Sequence, residues 1–200
     1  MPTTMRLRLA RLLGATLAAL LAVPPAGHAA PEPSAVQQRP TDYAVAANYL
    51  AVFCRYVTWP EPPAATPAEA PLRIGVLGPN PFGQTLETVL AGKVLRGRPL
   101  TAAYATDLKQ LVDCHVVFIS FTDAERIASS LAALDGKPVL TVLYRGELAA
   151  APPSGAVIEL VRVRSNIRYL LNSTALRAQG LQPTPGLLEN ALRRSGGPMP

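Results

Sequence analysis

Histidine and cysteine are scarce in this chain of 200 residues, with two of each, and aromatic residues make up 6%. One histidine, His28, falls in a leading segment of targeting character, which leaves His115 alone in the rest. One histidine and two cysteines without a close acidic cluster are too few for a zinc site. No G-x-S-x-G stretch is present, so the usual nucleophile elbow of serine hydrolases is excluded. Lys and Arg form no stripe with interleaved aromatics, which argues against nucleic-acid binding. No apolar run reaches the ~20 residues that a membrane-spanning helix needs.

What the chain does have begins at its start. Arg6, Arg8 and Arg11 precede an apolar run, Leu12 to Val23, then Pro24-Pro25 and the small residues Gly27, Ala29 and Ala30. That order reads as a secretory signal peptide over 1–29, with cleavage near Ala29. Its three Arg and lack of acids mean that removal lowers the net charge from +6 to +3. The remaining chain is long enough for one domain with a real core. Residues 30–41 read as a proline-rich tether, 42–190 as a single domain, and 191–200 as a flexible tail.

Export places Cys54 and Cys114 in an oxidising compartment. Two readings stay open: a Cys54–Cys114 disulfide, or two separate buried thiols.

Asp42 is a candidate cap for a helix to about Thr58, whose apolar residues at 45, 46, 49, 52, 53, 56 and 57 keep helical spacing. Trp59-Pro60 ends it, and 60–71 reads as a stiff linker. Strand and helix then alternate. Strands are expected at 72–78, 98–105, 115–120 and 138–144, and helices at 81–92, 107–113 and 121–136, the last capped by Thr122 or Asp123. Residues 156–163 and 166–172 read as a strand pair around Arg164-Ser165, and Asn172 as the cap of a helix that Gly180 stops. Near-continuous apolar strands alternating with helices predict an α/β fold. The expected form is a mainly parallel sheet with helices on both faces, a Rossmann-like three-layer arrangement with a C-terminal antiparallel strand pair.

The stretch GVLGPNPFGQTL, 75–86, resembles a phosphate-binding P-loop. The chemistry fails: Gln84 stands where the lysine belongs, and Pro79 and Pro81 have no N–H to donate. The better reading is a strand-to-helix turn, with Pro81 in a first helical turn and Phe82 packed beneath. It lies at the carboxyl end of a strand, where small ligands often bind. His115 adjoins Cys114, but neighbours in a strand point to opposite faces, so a Cys–His nucleophile pair is disfavoured. Glu159 in an apolar strand reads as half of an ion pair with Arg162 or Arg168. The helix end FCRYVTWP is aromatic-rich: Tyr49, Phe53, Tyr56 and Trp59 suit a core or a protein interface.

The series YLAVFCRYVTWPE, LRIGVLGPNPFGQTLE, GKVLRGRPL, CHVVFIS, GKPVLTV and VIELVRVRSNIRYLLNSTALRAQGL, in this order, resembles the YfiR-like family of exported bacterial proteins. The resemblance runs from about Tyr43 to Leu188. It implies a periplasmic α/β domain, often dimeric, without catalysis or cofactor. It further implies a partner: the periplasmic part of an inner-membrane diguanylate cyclase, held in check until an outer-membrane lipoprotein relieves the block. Cyclic-di-GMP and biofilm formation would rise when the restraint is lost. On this reading Tyr56, Trp59, Pro79, Pro81 and Phe82 are the candidate contact residues. The alternative function is a small-molecule-binding module serving a sensor kinase or transporter, with its pocket at the carboxyl ends of the strands.

The sequence departs from the family pattern. The usual disulfide joins a Cys of the first core strand to the Cys matched by Cys114, but Gly75 occupies the first position. The implied redox control therefore lacks its pair. Pro185-Gly186-Leu187-Leu188 stands where a Ser-Lys-Leu-Leu type stretch is usual, which predicts a remodelled C-terminal edge.

Overall fold

The computed structural model describes residues 35–60, 67, 69–148 and 154–192, with side chains from residue 41 onward. The signal peptide read over 1–29, residues 30–34, most of the linker and residues 193–200 lie outside the described residues.

Helix α1 runs Ala35–Tyr56, so it starts seven positions before the expected cap, within the stretch read as a tether. Pro40 lies inside this helix, where it has no N–H to donate. Asp42 does not begin the helix; its carboxylate is recruited by a tertiary pair with Arg162. Strand β1, Val57–Thr58, follows directly.

Strand β2, Leu72–Leu77, is buried at all positions but one. Helix α2 covers only Thr85–Leu90, shorter than the 81–92 expected. The reason is local. Asn80 Oδ1 accepts the Phe82 N–H at 2.9 Å and its amide donates to the Gly83 carbonyl at 3.0 Å. This Asx turn holds 80–83 out of the helix, so Pro81 precedes it rather than opening it.

Strand β3, Val94–Leu95, and β4, Arg98–Ala105, form an antiparallel hairpin that was not expected from the sequence. Arg96 and Gly97 both take positive φ, the conformation of a two-residue type I′ turn. A 3-10 turn, Leu108–Leu111, is capped by Asp107. Strand β5, Val116–Ile119, leads to helix α3, Ala124–Leu134, where Asp123 accepts the Arg126 N–H at 2.8 Å as an N-cap. Strands β6, Leu140–Glu147, β7, Ile158–Val163, and β8, Asn166–Leu171, follow. Helix α4, Ser173–Ala178, is capped by Asn172. Strand β9, Gln182–Pro183, pairs with β1, and α5, Pro185–Asn190, opens on its proline.

The main sheet has the order β3-β4-β2-β5-β6-β7-β8. The pairs β4–β2, β2–β5, β5–β6 and β6–β7 are parallel; β3–β4 and β7–β8 are antiparallel. The expected α/β sheet with its C-terminal antiparallel pair is what forms, with the β1–β9 pair as a separate small sheet. Leu192 bridges Leu170, so the ordered chain continues past 190, where the tail was expected to begin.

Alternation splits the core in two. Ile74, Val76, Val116, Phe118, Leu140, Val142, Ile158 and Leu160 face one way, toward Ala46, Ala47, Leu50 and Phe53 of α1 and Leu86 of α2. Leu77, Val117, Ile119 and Leu143 face the other way, toward Leu111 and Leu134. Each large side chain fully buried here stabilises the fold by roughly 1.5–3 kcal/mol.

Candidate functional site

After α1, the chain crosses the amino ends of the parallel strands. Trp59 donates its indole N–H to the His115 carbonyl at 3.1 Å, and its ring meets the imidazole edge-on at a centroid separation of 5.8 Å. The parallel register Ile74↔Val116 sets His115 beside Arg73. The Arg73 backbone N–H reaches His115 Nδ1 at 3.3 Å, and Arg98 Nη2 reaches Nε2 at 3.0 Å. Both approaching groups are donors. A neutral imidazole offers one acceptor nitrogen and an imidazolium offers none. Burial, then the Arg98 charge, lowers the His115 pKa to about 4, with Asp113 opposing and Arg73 adding to the fall. The ring is therefore neutral at ordinary pH, and its one acceptor nitrogen serves either the Arg73 N–H or Arg98, depending on the tautomer.

Arg98 is further fixed by two carbonyls. Its Nε donates to Ala70 at 2.5 Å and its Nη2 to Pro71 at 3.4 Å. Arg73 faces Asp113 at 3.6 Å, with side chains 37% and 77% exposed, so this pair contributes little energy. Together with Val112 and Lys137 these residues line a cleft of about 600 Å³. Its described residues carry three cations against one acid, with Trp59 as its aromatic member.

Cys114 and His115 both line the cleft, but among the described residues no hydrogen bond joins the thiol to the imidazole. Cys114 turns to the opposite face of the sheet from Cys54, into the cluster with Leu111, and burial raises its pKa. Cys54 lies in the α1 cluster, donates to the Leu50 carbonyl at 3.4 Å, and is pushed up to about 12 by burial. Both thiols are free, so the Cys54–Cys114 disulfide is not formed: the sheet separates them. Among the described residues no group of three or more His, Cys, Asp or Glu could hold a metal ion.

The other expected contact residues are dispersed. Tyr56 is half-buried, its ring lying over Gly186: a Cβ there would meet Tyr56 Cε1 at 3.0 Å. This explains the departure at 185–188, since Gly186 makes room for the ring. Pro79 is exposed and Pro81 half-buried, but both lie at the carboxyl end of β2, opposite to Trp59. Phe82 is not a surface residue. It is 4% exposed and packs against Phe118 at 4.9 Å and Tyr43 at 5.8 Å. Trp59 and the Pro79–Phe82 turn therefore lie at opposite ends of the parallel strands.

The P-loop-like turn is closed on itself. The Gly78 N–H donates to Ala105 and the Thr85 N–H to Phe82, at 2.8 and 3.0 Å. Ser120 Oγ donates to the Pro79 carbonyl at 2.5 Å. A Cβ at Gly78, where φ is +109°, would strike Phe121 at 2.7 Å.

Sequence reading missed the polar cluster at this end. Asp42 accepts from the Tyr144 hydroxyl at 2.7 Å and pairs with Arg162, which also faces Glu147 at 3.7 Å. Glu159, expected to pair with Arg162 or Arg168, accepts from the Ser154 N–H and hydroxyl at 2.5 and 2.6 Å. Glu159 and Arg162 are three apart in one strand and point to opposite faces.

A family model described as YfiR/HmsC-like (DUF4154) matches residues 43–192, from the first full turns of packed α1 through α5. The chain belongs to this family. No curated protein matches it. The YfiR-like family is periplasmic and regulatory rather than catalytic. In this YfiR-like chain no helix among the described residues is long and apolar enough to cross a membrane.

Proposed function

We propose that this YfiR-like protein is an exported, non-catalytic regulator that binds the periplasmic part of an inner-membrane diguanylate cyclase and restrains it. The observation that carries the reading is the family match over 43–192. The mechanism is a population shift: the protein binds one conformation of the cyclase's periplasmic portion more tightly than the active one, and holds the equilibrium there. Relief by an outer-membrane lipoprotein and a homodimeric state belong to the same proposal. The half-exposed Trp59 is the contact residue this reading retains; aromatic anchors at the edge of a pocket are frequent interface hot spots.

The test is intracellular cyclic-di-GMP in the native bacterium with and without the gene. Deletion is expected to raise it, and the exported protein, but not a form lacking residues 1–29, to restore it. An unchanged level where the protein is expressed sinks the proposal.

A further inference from the structure

The cationic cleft at the amino ends of the strands has features that a contact surface for a partner does not require. Three cations from separate elements line it: Arg73 in β2, Arg98 at the start of β4, and Lys137 before β6. Arg98 is held by two carbonyls with the His115 ring beside it, and its Nη1 has no hydrogen-bond partner among the described residues. A guanidinium held in place loses little entropy when it takes a ligand. Among the described residues the Lys137 ammonium has no partner, and the one acid of the lining, Asp113, is largely exposed. Trp59, against the His115 ring, and Val112 add apolar surface to the lining. The volume, about 600 Å³, lies in the range of small-molecule sites.

We infer that this cleft binds a small organic oxyanion, a phosphate monoester or a carboxylate, with its charged end on Arg98 Nη1, Arg73 and Lys137 and its apolar body on Trp59. The two headgroups share one chemistry: oxygens that accept charge-assisted hydrogen bonds from a guanidinium. The expected location in an α/β sheet is the carboxyl end of the strands. Here that end is filled by Phe82 and by the Asp42–Arg162 pair. The site stands whether or not the partner is a cyclase.

Trp59 is the only tryptophan in the chain, so its emission reports on the cleft directly. The full exported chain is titrated with phenyl phosphate, benzoate and inorganic phosphate. A saturable change in Trp59 emission is expected with phenyl phosphate or benzoate, competed by inorganic phosphate. Lys137→Gln and Arg73→Gln, at exposed or half-exposed positions, are each expected to weaken binding about tenfold at unchanged melting temperature. No saturable change with any of the three probes up to about 10 mM overturns the assignment. So does equal affinity in both variants, or binding that inorganic phosphate does not compete, which would leave only the apolar surface. These results are independent of cyclic-di-GMP, so the site and the proposed regulation fail separately.

Discussion

A Cβ placed on Gly75 would lie 3.0 Å from Cys114 Sγ. That is about the separation between a Cβ and the far sulfur of a disulfide. Gly75 is not among the glycines with positive φ, so an L residue fits its backbone. Gly75→Cys is therefore expected to pair with Cys114 on oxidation, supplying the disulfide whose first position this chain lacks. The closed loop of about 40 residues corresponds to about 4 kcal/mol at most, reduced by crowding from Leu111. The Leu111 methyls stand at 3.1 and 3.2 Å from that Cβ. Thiol counting and melting, oxidised against reduced, check this. Two free thiols at those positions after oxidation would show that the spacing is wrong.

Phe82→Ala separates the core reading of that residue from the surface reading. Phe82 closes an aromatic group with Tyr43 and Phe118, so truncation is expected to cost about 3–5 kcal/mol in urea unfolding. Pro79→Ala, at the exposed side of the same turn, is expected to stay within about 1 kcal/mol. A near-neutral Phe82→Ala would return Phe82 to the surface.

The strands were legible because each is a short apolar run with turn residues at its ends. CHVVFIS could hardly be anything but a buried strand, and the Asn172 and Asp123 caps were readable from side-chain type alone. The hairpin at Val94–Arg98 was missed because two-residue strands carry no periodicity, although Arg96-Gly97 suited a turn. Asp42 looked like a helix cap because a cap is a local signal, whereas its true partner, Arg162, is 120 residues away. The cleft was hidden for the same reason: Trp59, Arg73, Arg98, His115 and Lys137 meet only through the strand register. One signal was there. A basic residue or histidine sits within three residues of the start of each of β2, β4, β5 and β6.

The Asp42–Arg162 pair ties α1 to the carboxyl end of β7, with side chains only 11% and 15% exposed. Removing one partner leaves a poorly solvated charge, so Asp42→Ala is expected to cost about 3 kcal/mol. Replacing both, as Asp42→Leu with Arg162→Met, is expected to recover most of that loss, because an apolar pair carries no desolvation penalty. A double-mutant cycle on urea midpoints measures this. Strict additivity of the single losses would show that the two side chains do not act as a pair.

His115 gives the fold a pH dependence whose sign follows from its lowered pKa, about 4 against an ordinary value near 6.5. Between these values the unfolded chain binds a proton that the folded chain rejects, so stability rises with pH across the window. The stability that neutral His115 supports is complete above about pH 6.5 and is lost progressively as the pH falls toward 4. The ring is partly accessible, so solvent screening limits the loss to on the order of 1–2 kcal/mol. His115→Gln keeps an acceptor and cannot take up a proton, so its stability is expected to change less between pH 7 and about 4.5. Urea midpoints of both proteins across that range decide it. Parallel curves would mean that the imidazole titrates alike in the folded and unfolded chain, and that burial and the Arg98 charge do not hold it neutral.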